Sequence, residues 1–258
     1  MPVVSIAIQK GGSGKTTTAI NLAAALQRQG KTVLLIDADP QANLTQALGI
    51  MEETGENLYT ELRKVMVGTE SHLEKVVVQT KSGLAIVPSS IDLANSELEL
   101  VSVYGREKAF SWMLENVAYS YDYVFIDCPP AIGMLTVNAL VASDYVLLPL
   151  QAEFLPLKGL QSFMNSFKMI KRQLNPNLEI LGYLITKYDT RKKLTHRVLR
   201  QLAISYGDKV FKTRIRTNIS LAQAQEEGLD IFSYDPQCNG SQDYQHLAVE
   251  FLKKVNHK

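Results

Sequence analysis

The segment Lys10-Gly11-Gly12-Ser13-Gly14-Lys15-Thr16-Thr17 places three glycines and two lysines in eight residues. Glycines let consecutive backbone N–H groups turn inward as an anion nest, and a helix starting near the second lysine adds the positive end of its dipole. In such a loop Lys15 reaches the β- and γ-phosphates of a nucleotide and the Thr16 hydroxyl ligates Mg²⁺. Six fixed positions should match by chance on the order of once in 10⁵ chains of this size, so a merely flexible turn is a poor explanation. Two carboxylate segments accompany the loop. They are Leu34-Leu35-Ile36-Asp37-Ala38-Asp39-Pro40-Gln41 and Tyr123-Val124-Phe125-Ile126-Asp127-Cys128-Pro129-Pro130. Each puts an aspartate directly after an apolar run, where a strand end can hold a carboxylate still beside a metal-bound water. Strand-ending aspartates also cap helices; with the loop upstream, the metal-site reading is favoured.

These groups need a scaffold that delivers several strand ends to one place. Apolar, β-branched runs at 3–8, 32–36, 84–87, 123–126, 145–150 and 180–185 read as strands buried on both faces. Between them, helical periodicity falls at 15–29 (closed by Gly30), 93–103, 107–118, 135–142, 157–174, 194–206 and 244–255. Strand–helix alternation predicts an α/β fold, a doubly wound and mostly parallel sheet with helices on both faces. The carboxylates then lie at strand C-terminal ends beside the switch point. Residues 50–82 are the least regular part and read as a helical insertion within one domain spanning 1–258. No repeat or low-complexity tract interrupts the chain.

Composition narrows the function classes. With 258 residues, 46% apolar and 21% charged, the chain has ordinary globular make-up. No apolar run approaches the roughly 18 residues that span a bilayer, and the N-terminus lacks the basic region of a signal peptide. Two cysteines and four histidines offer neither a disulfide framework nor metal-ligand spacing. A cytosolic, soluble protein is expected. The net charge of +1 conceals an asymmetry: residues 187–216 hold ten basic residues against Asp189 and Asp208, a local +8 balanced by −7 elsewhere. Such a concentrated segment is a candidate polyanion-binding surface.

One departure from the ordinary phosphate-binding loop is informative. The glycine expected five residues before the Gly-Lys pair is replaced by Gln9, and Lys10 follows it. With Asp37-Ala38-Asp39-Pro40-Gln41 and the late segment from Arg216 to Pro236, the chain resembles the ParA/MinD family of deviant Walker A ATPases over nearly its whole length. The Asp-Pro-Gln sequence resembles the ParA/Soj branch. The resemblance implies a slow, Mg²⁺-dependent ATPase with ATP and Mg²⁺ as its ligands. It implies nucleotide contacts from Lys10, Gly11, Gly12, Ser13, Gly14, Lys15, Thr16, Thr17 and Asn218, with Lys10 reaching the nucleotide of a partner subunit. Asp127 takes the Walker B position, Asp37 supports the metal shell with Thr16, and Asp39 orients the attacking water. An ATP-bridged homodimer, non-specific double-stranded DNA and a ParB-like adaptor are the implied partners, for partition of a plasmid or chromosome at the nucleoid. Arg191, Lys192, Lys193, Arg197, Arg200, Arg214 and Arg216 are the candidate DNA contacts.

Some positions depart from the family pattern. Ile8 stands where many relatives have Asn. Ile215-Arg216-Thr217-Asn218-Ile219-Ser220 replaces a proline by Arg216 and a later arginine by Ser220, so Arg214 or Arg216 is expected to take over part of the DNA contact. Only nine residues precede Lys10, so an N-terminal helix-turn-helix is not expected. Two alternatives carry specific features. A MinD-like membrane cycle would use Leu247, Phe251, Leu252 and Val255 as an amphipathic anchor, although stable membrane association is not expected; positioning of another cargo is an alternative without a residue signature of its own. An electron carrier resembling the nitrogenase iron protein would need Cys128 and Cys238 to bind a cluster.

Overall fold

The first apolar run folds as β1 (Val3–Ile6) and passes through the glycine-rich loop into α1 (Lys15–Gln27). The computed structural model describes residues 1–51, 55–115, 117, 120–151 and 157–256. Further strands are β2 (Val33–Asp37), β3 (Val78–Gln79), β4 (Ala85–Val87), β5 (Tyr123–Asp127), β6 (Tyr145–Gln151), β7 (Glu179–Tyr188) and β8 (Val210–Arg216). They form one sheet in the order β3-β4-β2-β5-β1-β6-β7-β8. Every pairing is parallel except β3 with β4 at one edge. From β1 the chain crosses to β2, reaches the β3 edge and returns to insert β5 between β2 and β1. It then continues outward through β6, β7 and β8, so the loop after β1 opens beside the ends of β5 and β6, where such sheets bind ligands.

Period-two alternation explains why both faces are covered. Val4, Ile6, Val33 and Leu35 join one core, while Val3, Ala7, Leu34 and Ile36 join the other. The first core is roofed by α1 with α9 (Ser220–Glu226), α10 (Ile231–Tyr234) and α11 (Asn239–Asn256). Phe251 of α11 meets Tyr123 and Phe125 edge-on at centroid distances of 5.4 and 5.5 Å. The second core takes α3 (Leu58–Met66), α5 (Ala109–Leu114), α6 (Met134–Val141), α7 (Leu157–Gln173) and α8 (Lys193–Tyr206). Two short helices, α2 (Asn43–Ala47) and α4 (Ser96–Glu99), complete the set.

Three sequence expectations change. The helix expected over 93–103 is broken into a 3₁₀ turn at Ile91–Asn95, α4 and a second turn at Leu100–Ser102. Its apolar residues do not form one stripe, since Leu93 and Leu100 are buried while Leu98 and Val101 are exposed. Ser96 also donates its hydroxyl to the Leu93 carbonyl at 2.5 Å, a local bond that competes with the helical ladder. The helix expected over 107–118 begins as a 3₁₀ turn at Arg106–Lys108 and continues as α5; residues 116 and 118 lie outside the described residues. Within 50–82, of which 52–54 lie outside the described residues, α3 is followed by a 3₁₀ turn at Leu73–Val76 and by β3. The segment is therefore mixed, contributing an antiparallel edge strand as well as helix.

Candidate nucleotide and metal site

The loop between β1 and α1 is shaped by two glycines. Gly12 and Gly14 have φ of +68° and +91°, in the left-handed region where a side chain is strained. Behind it stand the ends of the next two strands. Gln151 at the end of β6 donates from its amide to the Gly12 carbonyl and accepts from Lys10 Nζ at 2.7 Å. Thr186, its register partner on β7, donates to the Ser13 carbonyl at 2.7 Å. Tying two consecutive carbonyls fixes the peptide planes on which a converged set of N–H groups depends. Lys15 is buried, with Nζ 3.5 Å from the Lys10 carbonyl. Thr17 accepts at its hydroxyl from Gln225 of α9 at 3.2 Å. The Asn218 side chain accepts from Ser220 N–H at 2.9 Å at the start of α9.

Thr16 donates its hydroxyl to Asp127 Oδ2 at 2.6 Å, joining helix α1 to the end of β5. The other oxygen, Asp127 Oδ1, is buried with no hydrogen-bond partner, as is Ser13 Oγ. Burial, then the charge of Asp37, pushes the Asp127 carboxyl up to about 8 against the opposing Thr16 bond. An orphaned carboxylate oxygen beside a hydroxyl and a phosphate nest is the donor set Mg²⁺ takes when most of its shell is water and substrate phosphate. Among the described residues no cluster of three His, Cys, Asp or Glu could hold a metal without such help. The residues present therefore fit Mg²⁺ bound with a nucleotide.

Asp37 is the register partner of Asp127 across β2 and β5. Its Oδ2 accepts from Thr45 N–H at 2.8 Å and from the Thr45 hydroxyl at 2.7 Å, and its Oδ1 from Asp39 N–H at 3.2 Å. Burial outweighs these bonds and raises its carboxyl to about 7. Thr45 in turn accepts from Ser89 N–H at 2.9 Å, and the Ser89 hydroxyl donates to the Asp39 carbonyl at 2.8 Å. Asp39 itself is buried and caps Gln41 N–H at 3.0 Å. Ala42 follows at φ +51°, a strained conformation held by this network. Asp37 thus anchors the segment bearing Asp39 as well as lying beside Asp127. Gln151, Thr186, Thr45 and Ser89 were missed from sequence. Gln151 and Thr186 are each the first polar residue after an apolar strand run, the same signal that exposed Asp37 and Asp127.

The basic residues separate into two groups. Lys193, His196, Arg197, Arg200, Gln201 and Ile204 line one open groove along α8. Lys192 precedes that helix, and Arg191 is an exposed residue that pairs locally with Asp189 at 2.9 Å. Arg214 lies against Tyr188, with its guanidinium 5.0 Å from the ring centroid and a 3.1 Å bond to the hydroxyl. Arg216 is different. Its guanidinium grips Asp243 of α11 at 2.7–3.0 Å, and its own N–H donates to the same carboxylate at 2.9 Å. The sequence places Arg216 among the candidate DNA contacts; in the fold its fork pairs with the nearly buried Asp243 carboxylate while its side chain stays 38% exposed.

The features behind the two alternative readings occupy definite places in the fold. Leu247, Phe251 and Val255 are buried against the sheet and α1, so α11 presents no continuous apolar face to a lipid surface; residues 257 and 258 of the tail lie outside the described residues. Among the described residues no helix is long and apolar enough to cross a membrane. Cys128 belongs to one core and Cys238 packs against the other, on opposite faces of the sheet. Burial, with the Asp127 charge, pushes the Cys128 thiol up to about 12, the behaviour of an inert core thiol.

Comparison with known proteins agrees with this geometry. The AAA domain family matches residues 1–180. The chain is 40% identical to the sporulation initiation inhibitor protein Soj of Bacillus subtilis over 248 residues, covering 96% of this chain and 97% of Soj. It is 41% identical to the chromosome partitioning protein ParA of Caulobacter vibrioides, covering 98% and 94%. Among solved structures, the cobyrinic acid a,c-diamide synthase of Mycobacterium smegmatis with bound ADP and magnesium superposes with a TM-score of 0.86 at 32% identity, covering 100% of this chain and 96% of that one.

Proposed function

The chain belongs to the AAA domain family and, within it, to the ParA/Soj-type partitioning ATPases of the deviant Walker A group; from that premise we propose that it hydrolyses ATP slowly with Mg²⁺ to cycle an ATP-bridged homodimer on and off DNA. The observation that carries the reading is the Thr16–Asp127 contact beside the glycine loop, with Asp127 Oδ1 buried and unpaired where it would support the Mg²⁺ shell. The Mycobacterium smegmatis protein of the same fold was solved with ADP and magnesium and with an ATP analogue and magnesium, which supports the ligand choice.

In this mechanism Lys15 and the loop N–H groups hold the β- and γ-phosphates, and Thr16 and Asp127 hold the metal shell. Bound Mg²⁺ would neutralise charge that develops on the phosphate oxygens. Asp39 orients the water for in-line attack, and Asp37 keeps the Asp39 segment in register through Thr45 and Ser89. Most of the catalysis is positioning and electrostatics. Lys10 reaches across the two-fold interface to the partner's nucleotide, so dimerisation follows ATP. Two α8 faces, each with Lys193, Arg197 and Arg200 and flanked by Arg191, Lys192 and Arg214, then grip DNA phosphates without reading bases. A ParB-like adaptor accelerates hydrolysis and release, in the cytoplasm at the nucleoid, for a plasmid or chromosome cargo. The buried apolar face of α11 favours this reading over a membrane cycle.

The test is light scattering and mobility shift on unrelated duplexes with Mg²⁺ and ATP, ADP or no nucleotide. Dimer and DNA complex should appear together with ATP and be nearly absent with ADP. Equal DNA affinity in ATP and ADP would overturn the reading.

A further inference from the structure

Lys10 and Gln151 are 141 residues apart, yet the tightest contact of the Lys10 ammonium is to that one amide. The Gln151 amide is oriented by two partners of opposite character. Its oxygen accepts from Lys10 Nζ at 2.7 Å and its nitrogen donates to the Gly12 carbonyl. A flipped amide would set NH₂ against an ammonium and one carbonyl against another, so the chemistry permits a single orientation. The pair sits over a small cleft lined by Ile8, Pro149, Leu150 and Leu160, at the place where β1, β6 and α7 converge. Gln151 is therefore bonded both to the loop backbone and to its signature lysine, from a strand end that belongs to the central sheet.

A charge-assisted bond of this length holds the ammonium over its own subunit's loop. In the latch reading, Lys10 exchanges that bond for a phosphate when it extends toward a nucleotide in a second subunit. We propose that Gln151 is a positioning residue that latches Lys10 in cis, and that its release sets the nucleotide concentration at which two subunits associate. The inference rests on the reading above that Lys10 acts across the dimer. The latch is neutral, so the phosphate anion competes successfully for the ammonium once the interface excludes water. A carboxylate at the same position would hold Lys10 more strongly and would also repel the incoming phosphates.

Gln151→Met and Gln151→Glu separate the latch from simple damage to the loop. Both lose the donor to Gly12, so any loosening of the nest is common to the two and is read from the ADP affinity of the monomer. Methionine also loses the acceptor for Lys10 with little change in volume. With the hydrolysis-resistant analogue AMPPNP and Mg²⁺, Gln151→Met should dimerise at roughly tenfold lower nucleotide than the wild type, and Gln151→Glu at roughly tenfold higher. Shifts in the same direction, or no shift in either, would overturn the latch. A second readout needs no dimer: in nucleotide-free protein, amine-reactive labelling of Lys10 measured against Lys31 should be at least about twofold faster in Gln151→Met than in the wild type. Equal labelling would also overturn the proposal. If the wild type stays monomeric in AMPPNP while labelling accelerates in the variant, the latch stands and the dimer reading fails.

Discussion

At the residue scale the site divides its labour between groups that hold and groups that aim. Lys15 is buried in the loop and Thr16 is bonded to Asp127, and in the proposed mechanism both act on the bound phosphates and metal shell. Asp39 lies one strand away, held through its backbone by Asp37 and Ser89 while its carboxylate caps Gln41. The two kinds of residue should fail differently. Lys15→Ala should weaken ATP binding by about 100-fold or more, since a charged phosphate contact in an enclosed loop is lost. Asp39→Ala should leave ATP affinity within about threefold and lower turnover by about 100-fold or more, as expected when only the attacking group is misplaced. Calorimetric titration and single-turnover hydrolysis distinguish the two. Normal turnover in Asp39→Ala would assign the water to another residue.

At the element scale, two carboxylates serve as joints between segments. Glu61 of α3 is fully buried and accepts from Lys64 at 2.6 Å, Ser71 Oγ at 3.0 Å and His72 N–H at 2.7 Å, binding the helix to the turn that follows. Burial raises its pKa, but the three hydrogen bonds outweigh that and hold the carboxyl below its ordinary 4.5. A depressed folded-state pKa means stability present in full above pH 4.5 and lost as pH falls through the lower folded value. Glu61→Gln should therefore cost about 1–3 kcal/mol at pH 7 and show a shallower loss of stability below pH 4.5 than the wild type. Urea melts at pH 7 and pH 4 check both parts. The Arg216–Asp243 pair is the second joint, tying β8 to α11. Arg216 is partly exposed, so Arg216→Ala should cost only about 1–2 kcal/mol after solvent screening, with DNA affinity changed less than twofold by an order-of-magnitude estimate. Arg197→Glu with Arg200→Glu should do the reverse, leaving the melting temperature nearly intact and abolishing DNA retention. A DNA defect in Arg216→Ala at unchanged stability would restore that residue to the interface.

At the scale of the whole molecule, the proposed cycle relies on doubling: a single α8 face would offer few simultaneous phosphate contacts, and a nucleotide-bridged dimer would multiply affinity through effective concentration. If the dimer neutralises about six phosphates, log K against log salt should fall with a slope near −5. The slope should be the same on unrelated duplex sequences, because the basic residues come from a helix face, a loop and a strand edge rather than from one element docked in a groove. Binding isotherms with AMPPNP at several salt concentrations measure it. A slope near −1, or one that depends on sequence, would mean that something other than these basic residues holds the DNA.

The sequence by itself determined the loop, the strands that carry it and the three aspartates, because each is local: glycines at positive φ, β-branched runs, and a polar residue where a strand must leave the sheet. It also located the basic segment, since charge is countable. It could not say which basic residues face outward. Arg200 and Arg216 look alike in composition, and only the approach of α11 to β8 gives Arg216 a buried carboxylate to hold. The continuous helix expected over 93–103 failed for a related reason, because burial there alternates in a way that periodicity alone does not show. Gln151 and Thr186 carry the strand-end signal in the sequence, but their bonds to the loop exist only because β6 lies beside β1 and β7 beside β6, an arrangement that depends on strand order. Contacts between residues more than a hundred positions apart are set by which strands become neighbours, and strand order is decided by the packing of both helical layers on one sheet.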